Sequence, residues 1–184
     1  MNIVVLAGGL STERDVSLIT GTQVSKALKA LGHKVILLDV FMGYGEEEQD
    51  LHDIFAHADE ISASAGQISE QAPDIAQVKA MRKDQSNCFF GPNVIQLCRA
   101  ADIVFMALHG ENGKIQATFD LFGIKYTGTG YLSSALAMDK GMSKQLFLAN
   151  GIPTPAGISM RKSERAALKD TDLVLPCVVK PCCG

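Results

Sequence analysis

No stretch of this chain approaches the roughly 18 consecutive apolar residues that a membrane helix needs. The first residues lack the basic start and small-residue cleavage site of a secretion signal. Both absences lead to the expectation of a cytoplasmic protein with no membrane partner. Charge of one sign is also scarce: 17 Lys and Arg against 20 Asp and Glu leave a net charge of -3. With no basic patch to follow a phosphate backbone, nucleic acid is excluded as a partner and a small ligand is expected. The five cysteines, Cys88, Cys98, Cys177, Cys182 and Cys183, form an odd set without a CxxC spacing. Neither a disulfide framework nor a zinc site is indicated, and reduced thiols are the simpler account. His52 and His57 stand among Asp50, Asp53 and Asp59. Five residues apart on a helix they face different directions, which reads as a solvated acidic surface rather than a metal cluster.

What is present is an apolar chain, 47% hydrophobic over 184 residues, long enough for one domain and a piece of another. The run Ile3-Val4-Val5-Leu6-Ala7 breaks into Gly8-Gly9-Leu10-Ser11-Thr12-Glu13-Arg14-Asp15-Val16-Ser17, a buried strand delivering a polar loop. Val16, Ile19, Val24, Leu28 and Leu31 then recur at near-helical spacing, Gly32 ends the helix, and Val35 to Leu38 form a second strand. This βαβ pattern predicts an α/β fold with parallel strands. Residues 43–85 differ: they open on Glu46-Glu47-Glu48 and hold few large hydrophobics, and they read as an insertion with short helices at 51–58 and 75–82.

A second unit follows, with a helix over 94–100, the strand 103–108, the loop His109-Gly110-Glu111-Asn112-Gly113, a helix over 114–122 and a short strand at 124–126. From Tyr131 the pattern turns helical, over 132–137 and 140–150. Strands are expected at 154–160 and 174–181, with a short helix at 165–169. A chain that stops within such a strand-loop unit reads as cut.

Open parallel sheets bind ligands at the carboxyl ends of their strands, so the two polar loops are the candidate site. Ser11, Thr12 and Asp15 can cap the following helix. Glu13 has two readings: part of a capping box with a solvated Arg14 partner, or a carboxylate held over a cleft to receive an ammonium group. His109, on the same rim, is either a satisfied surface histidine or part of a pocket for a small zwitterion. Lys180, ending an apolar run, is an exposed strand end or a point charge for phosphate. GGLSTE lacks the third glycine of GxGxxG, which leaves a dinucleotide site weakly supported.

The segments VVLAGGLSTERDVSL, ALHGENG followed by KIQATFDLFGIKYTGTG, SSALAMDKGMSKQLFLANGIPTP and VVKPCCG together resemble the D-alanine-D-alanine ligases of the ATP-grasp superfamily. The resemblance leaves 43–85 uncovered. It implies a Rossmann-like pre-ATP-grasp domain over 1–130 with the insertion, followed over 131–184 by linker helices and the start of an ATP-grasp domain. It also implies that Glu13 binds the ammonium of the first D-alanine, with Val16 touching the methyl group and Ser17 supporting the loop. His109 would lie near the carboxylate of that D-alanine, and Lys140 and Lys180 would touch the phosphates of ATP.

The implied reaction begins when one D-alanine carboxylate attacks the γ-phosphate of ATP. The amine of a second D-alanine then attacks the acyl phosphate, and the dipeptide serves peptidoglycan synthesis. Magnesium would bridge the phosphates, with its ligands beyond this chain, and a homodimer is the implied assembly. Two departures stand out: the loop HGENGKIQ is shorter than the family's glycine- and acid-rich turn, and nothing follows VKPCCG. The chain is therefore expected to be inactive by itself. D-alanine-D-serine and D-alanine-D-lactate ligases, and a non-catalytic small amino-acid-binding module, are the alternatives.

Overall fold

The computed structural model describes residues 1–45, 51, 53–58, 73–164, 171 and 175–182. Three strands, β1 (Asn2–Ala7), β2 (Lys34–Asp39) and β3 (Ile103–Met106), form a parallel sheet in the order β2-β1-β3. Asn2 pairs with Lys34 and Ala7 with Asp39 on one side of β1, and Ile3 pairs with Ile103 on the other. Helix α1 (Arg14–Ala30) connects β1 to β2. The βαβ reading of the first forty residues is therefore the observed topology.

A central strand buried on both faces needs an unbroken apolar run, and β1 supplies one: Val4, Val5, Leu6 and Ala7 are fully buried. Alternate residues serve opposite layers. Val4, Leu6, Ile36 and Leu38 meet α3 (Val94–Ala100) and α4 (Lys114–Phe122) through Leu97, Ile115 and Phe119. On the other face Ile3, Val5, Val35 and Leu37 meet α1 through Leu18, Val24 and Leu28.

The packing face of α1 coincides only in part with the apolar pattern that predicted the helix: Val24 and Leu28 pack against the sheet. Arg14, Ser17, Gly21 and Ser25 are its buried residues, whereas Val16 is 40% and Leu31 73% exposed. The reason is close approach. A Cβ on Gly21 would lie 2.8 Å from the Ala7 Cβ and 2.9 Å from Leu37 Cδ1, so only small side chains fit on the axis of contact, and the larger apolar residues flank it.

Between β2 and α3 lie a 3-10 turn (Ile54–His57) and α2 (Ile75–Met81). Phe55 and Ala58 are buried against the core, so this part of the expected insertion contributes packing. After α4, Tyr126 makes a single parallel bridge to Val104, which extends the sheet by one pairing in place of the expected strand at 124–126. Among the described residues two further α-helices follow, α5 (Tyr131–Met138) and α6 (Lys140–Ala149).

The strand expected at 154–160 is not formed, and the described residues 175–181 of the other expected strand are also irregular. A strand exists through its ladder, and no neighbouring strand pairs with either segment among the described residues. Pro155, Pro176 and Pro181 also remove backbone donors. The helix expected at 165–169 lies outside the described residues.

Candidate functional site

Two loops leave the carboxyl ends of the sheet beside each other, residues 8–13 from β1 and 107–113 from β3. The Ser11 hydroxyl joins them, donating to the His109 carbonyl at 2.8 Å and accepting the Glu13 N–H at 3.2 Å. A Cβ on Gly110 would sit 3.0 Å from the Ser11 Cβ and 3.5 Å from Glu13 Oε2. The Glu13 carboxylate thus reaches the backbone that follows His109.

Glu13 occupies the N-cap position of α1, yet its side chain makes no capping hydrogen bond. Its carboxylate takes part in no hydrogen bond or ion pair among the described residues. The reciprocal bonds of a capping box are therefore not formed, and an exposed charged acceptor is left at the rim.

Ser17, fully buried, accepts the Gly8 N–H at 2.9 Å and donates to the Ala107 carbonyl at 2.8 Å. One hydroxyl fastens the start of the first loop to the start of the second. His109 Nε2 lies 3.4 Å from the Thr20 hydroxyl of α1. Val16 is exposed on the first turn of that helix. Four of the expected site residues, Glu13, Val16, Ser17 and His109, thus gather around the beginning of α1.

Two further charged residues of this region were not legible as site residues. Arg14, a solvated partner of Glu13 on the capping-box reading, turns inward and is only 9% exposed. It donates to the Gly9 carbonyl at 2.7 Å and forms an ion pair with Asp39 at the end of β2. Glu111 lies over the first loop, where a Cβ on Gly9 would stand 3.2 Å from its Oε1. Burial holds its carboxyl above the ordinary glutamate pKa, against the opposing pull of Lys114. The sequence signals were Asp39 at the last position of an apolar strand and Glu111 within a glycine-flanked loop.

Lys140 and Lys180 belong to a second place in the fold. Lys140 opens α6, whose Asp139 cap accepts the Met142 N–H at 2.9 Å. The Lys140 N–H donates to the Cys182 carbonyl at 2.9 Å, so the MDK and VKP segments meet, and both lysines are exposed. The start of α5 seats on the start of α4, where a Cβ on Gly113 would come 2.3 Å from the Tyr131 carbonyl oxygen.

A cavity of about 670 Å³ lies at the opposite end of the strands, lined in part by Met1, Arg99, Asp102 and Lys125. It holds none of the residues above, and the chemistry-bearing groups are at the carboxyl ends. Cys98, the buried thiol, is pushed up to about 12 by burial, which removes it as a nucleophile. Among the described residues no group of three or more His, Cys, Asp or Glu could hold a metal ion. None of their helices is long and apolar enough to cross a membrane.

Residues 2–129 match the family model described as D-ala D-ala ligase N-terminus. The chain belongs to the D-alanine-D-alanine ligase family. It is 42% identical over 187 aligned positions to the D-alanine-D-alanine ligase of Lacticaseibacillus casei (strain BL23), covering 100% of this chain and 52% of that protein. The ligase of Pediococcus pentosaceus is 40% identical over 188 positions, covering 100% of this chain and 53% of that relative. The chain spans about half the length of the curated relatives it matches. The ligase-family match runs across residues 43–85 as well.

Among solved structures, the D-alanine-D-alanine ligase of Helicobacter pylori superposes with a TM-score of 0.60 at 22% identity, covering 100% of this chain and 56% of that one. The Bacillus anthracis ligase complexed with ATP gives 0.55 at 24% identity, covering 96% and 43%. These likenesses show that the ligase family's α/β fold is the fold of this chain.

Proposed function

We propose that this chain is the first-substrate portion of an ATP-dependent D-alanine-D-alanine ligase. Residues 1–130 would bind D-alanine, and residues 131–184 would begin the ATP-grasp domain. The observation that carries the reading is the Glu13 carboxylate at the rim, beside the loop that follows His109 and without a hydrogen-bond or ion-pair partner among the described residues.

An ammonium group is the natural partner for that carboxylate, since a charged acceptor without a counter-charge gains a charge-assisted hydrogen bond from it. Val16, exposed beside it, offers apolar surface to the methyl group, and His109 faces the carboxylate end. Ser17 keeps both loops at a fixed separation. The contribution of these residues is to bind and orient one D-alanine, which is where such a reaction gains through proximity.

Lys140 and Lys180 fit a polyphosphate: both are exposed cations, on segments joined by the Lys140 to Cys182 backbone hydrogen bond. ATP, when bound, supplies the phosphoryl group that activates a carboxylate. Among the described residues no group of three or more His, Cys, Asp or Glu fits magnesium, and the roles proposed for this chain's residues are binding and orientation.

Calorimetry of the chain with D-alanine tests the reading. Binding is expected, and Glu13→Gln should weaken it at least about tenfold through loss of a charged partner. Equal binding by parent and variant, or no binding by the parent, overturns it.

A further inference from the structure

We propose that Arg14 and Asp39 are positioning residues that hold the Glu13 loop in its substrate-receiving shape. The proposal rests on the reading of Glu13 as the ammonium receptor.

Arg14 is the first residue of α1 and follows Glu13 directly, whereas Asp39 ends β2, 25 residues later. Both are buried. The guanidinium spans two partners, the Gly9 carbonyl at 2.7 Å and the Asp39 carboxylate. Asp39 Oδ1 accepts the N–H groups of Phe41 at 2.9 Å, Met42 at 3.1 Å and Gly9 at 3.5 Å. The peptide groups of Gly9 are thus held from both sides, the carbonyl by Arg14 and the N–H by Asp39. The Arg14 N–H also donates to the Ser11 carbonyl at 3.2 Å, closing the loop on itself.

The turn is built around this pair. Gly8 has φ +78, and a Cβ there would lie 2.5 Å from the Asp39 carboxylate. A side chain at position 8 and the carboxylate at position 39 cannot share the space.

Stability alone does not explain such a pair. Burying two charges is costly enough that a well-packed apolar pair of equal volume often does as well or better. An apolar pair would leave the Gly9 carbonyl and the Phe41 and Met42 N–H groups without partners. What the ion pair adds is direction: the planar fork of arginine reaches two acceptors at a set angle, and lysine, a point charge, does not. Because Glu13 and Arg14 are adjacent, anchoring the guanidinium fixes where the Glu13 carboxylate leaves the backbone.

The test compares D-alanine with D-lactate, which carries a hydroxyl in place of the ammonium. Each is titrated into the parent chain, Glu13→Gln, Arg14→Lys and Asp39→Asn, with circular dichroism and thermal unfolding recorded for each. Arg14→Lys and Asp39→Asn should weaken D-alanine at least about tenfold and leave D-lactate within about twofold, while unfolding stays cooperative. A residue that only supports the fold would weaken both ligands alike, and that outcome overturns the proposal.

Unchanged D-alanine binding by Arg14→Lys and Asp39→Asn, with loss in Glu13→Gln, also overturns the proposal and leaves the ammonium-receptor reading standing. Unchanged binding by Glu13→Gln removes that reading and the proposal with it. If Arg14→Lys does not fold, Asp39→Asn, which keeps the shape and an acceptor oxygen, carries the comparison. Failure of both to fold makes the pair a structural element and counts against positioning.

Discussion

The Ser17 hydroxyl donates to the Ala107 carbonyl at 2.8 Å and so ties the first helix to the end of an edge strand 90 residues away. The same oxygen accepts the Gly8 N–H at 2.9 Å. Ala107 sends its own N–H to the Leu6 carbonyl at 2.9 Å, so the strand ends and the helix start form one hydrogen-bonded unit beneath the candidate site.

Replacing Ser17 by Ala should therefore destabilise more than the loss of one hydroxyl suggests, because two buried backbone groups lose their partner. A cost of about 1–3 kcal/mol is expected. In urea it should appear as a lower midpoint with an unchanged slope.

Gly21→Val should be among the more damaging single changes in α1. The Cβ alone would stand 2.8 Å from the Ala7 Cβ, and two further methyl groups have no room between helix and sheet. Roughly 1–3 kcal/mol of overpacking is expected, measurable as a fall in melting temperature, whereas Leu31→Ala at an exposed position should change it little.

The cysteines should separate by reactivity. Cys88, Cys177 and Cys182 are exposed and Cys98 is buried with its thiol pushed up to about 12. Thiol labelling at neutral pH followed by mass mapping should modify those three in the native chain, and Cys98 only after denaturant is added.

Glu111 gives a pH signature. Burial raises its pKa in the folded state, so the folded chain holds this proton more tightly than the unfolded chain does. The associated stability is full below the unfolded value and is lost as pH rises through the raised folded value. Glu111→Gln, uncharged throughout, should melt higher than the parent at pH 7 and show no advantage below about pH 4. A parent curve parallel to that of the variant across this range would contradict the assignment.

The elements that came through from the sequence are those with a strong one-dimensional signature. The unbroken apolar runs at 3–7 and 35–38 are strands buried on both faces, and Gly123, at φ +65, closes α4 at the expected place. Residues 154–160 read as a strand in the sequence yet are irregular in the structure, because local pattern marks what a strand could bury but not whether a neighbour exists to pair with it. The packing face of α1 follows the apolar pattern only in part, through Val24 and Leu28. Hydrophobicity points to Val16 and Leu31, but a helix this close to a sheet selects for small size.

By itself the sequence determined the parallel βαβ start, the polar loops at its strand ends, and the family, because these rest on local pattern and on motifs kept in order along the chain. Only the tertiary structure decided that Glu13 is left without a partner among the described residues while the adjacent Arg14 turns inward to Asp39. Adjacent residues point in different directions from a helix start. Which of the two meets a counter-charge depends on a strand end 25 residues away, a proximity created by the β1-β2 pairing of Ala7 with Asp39.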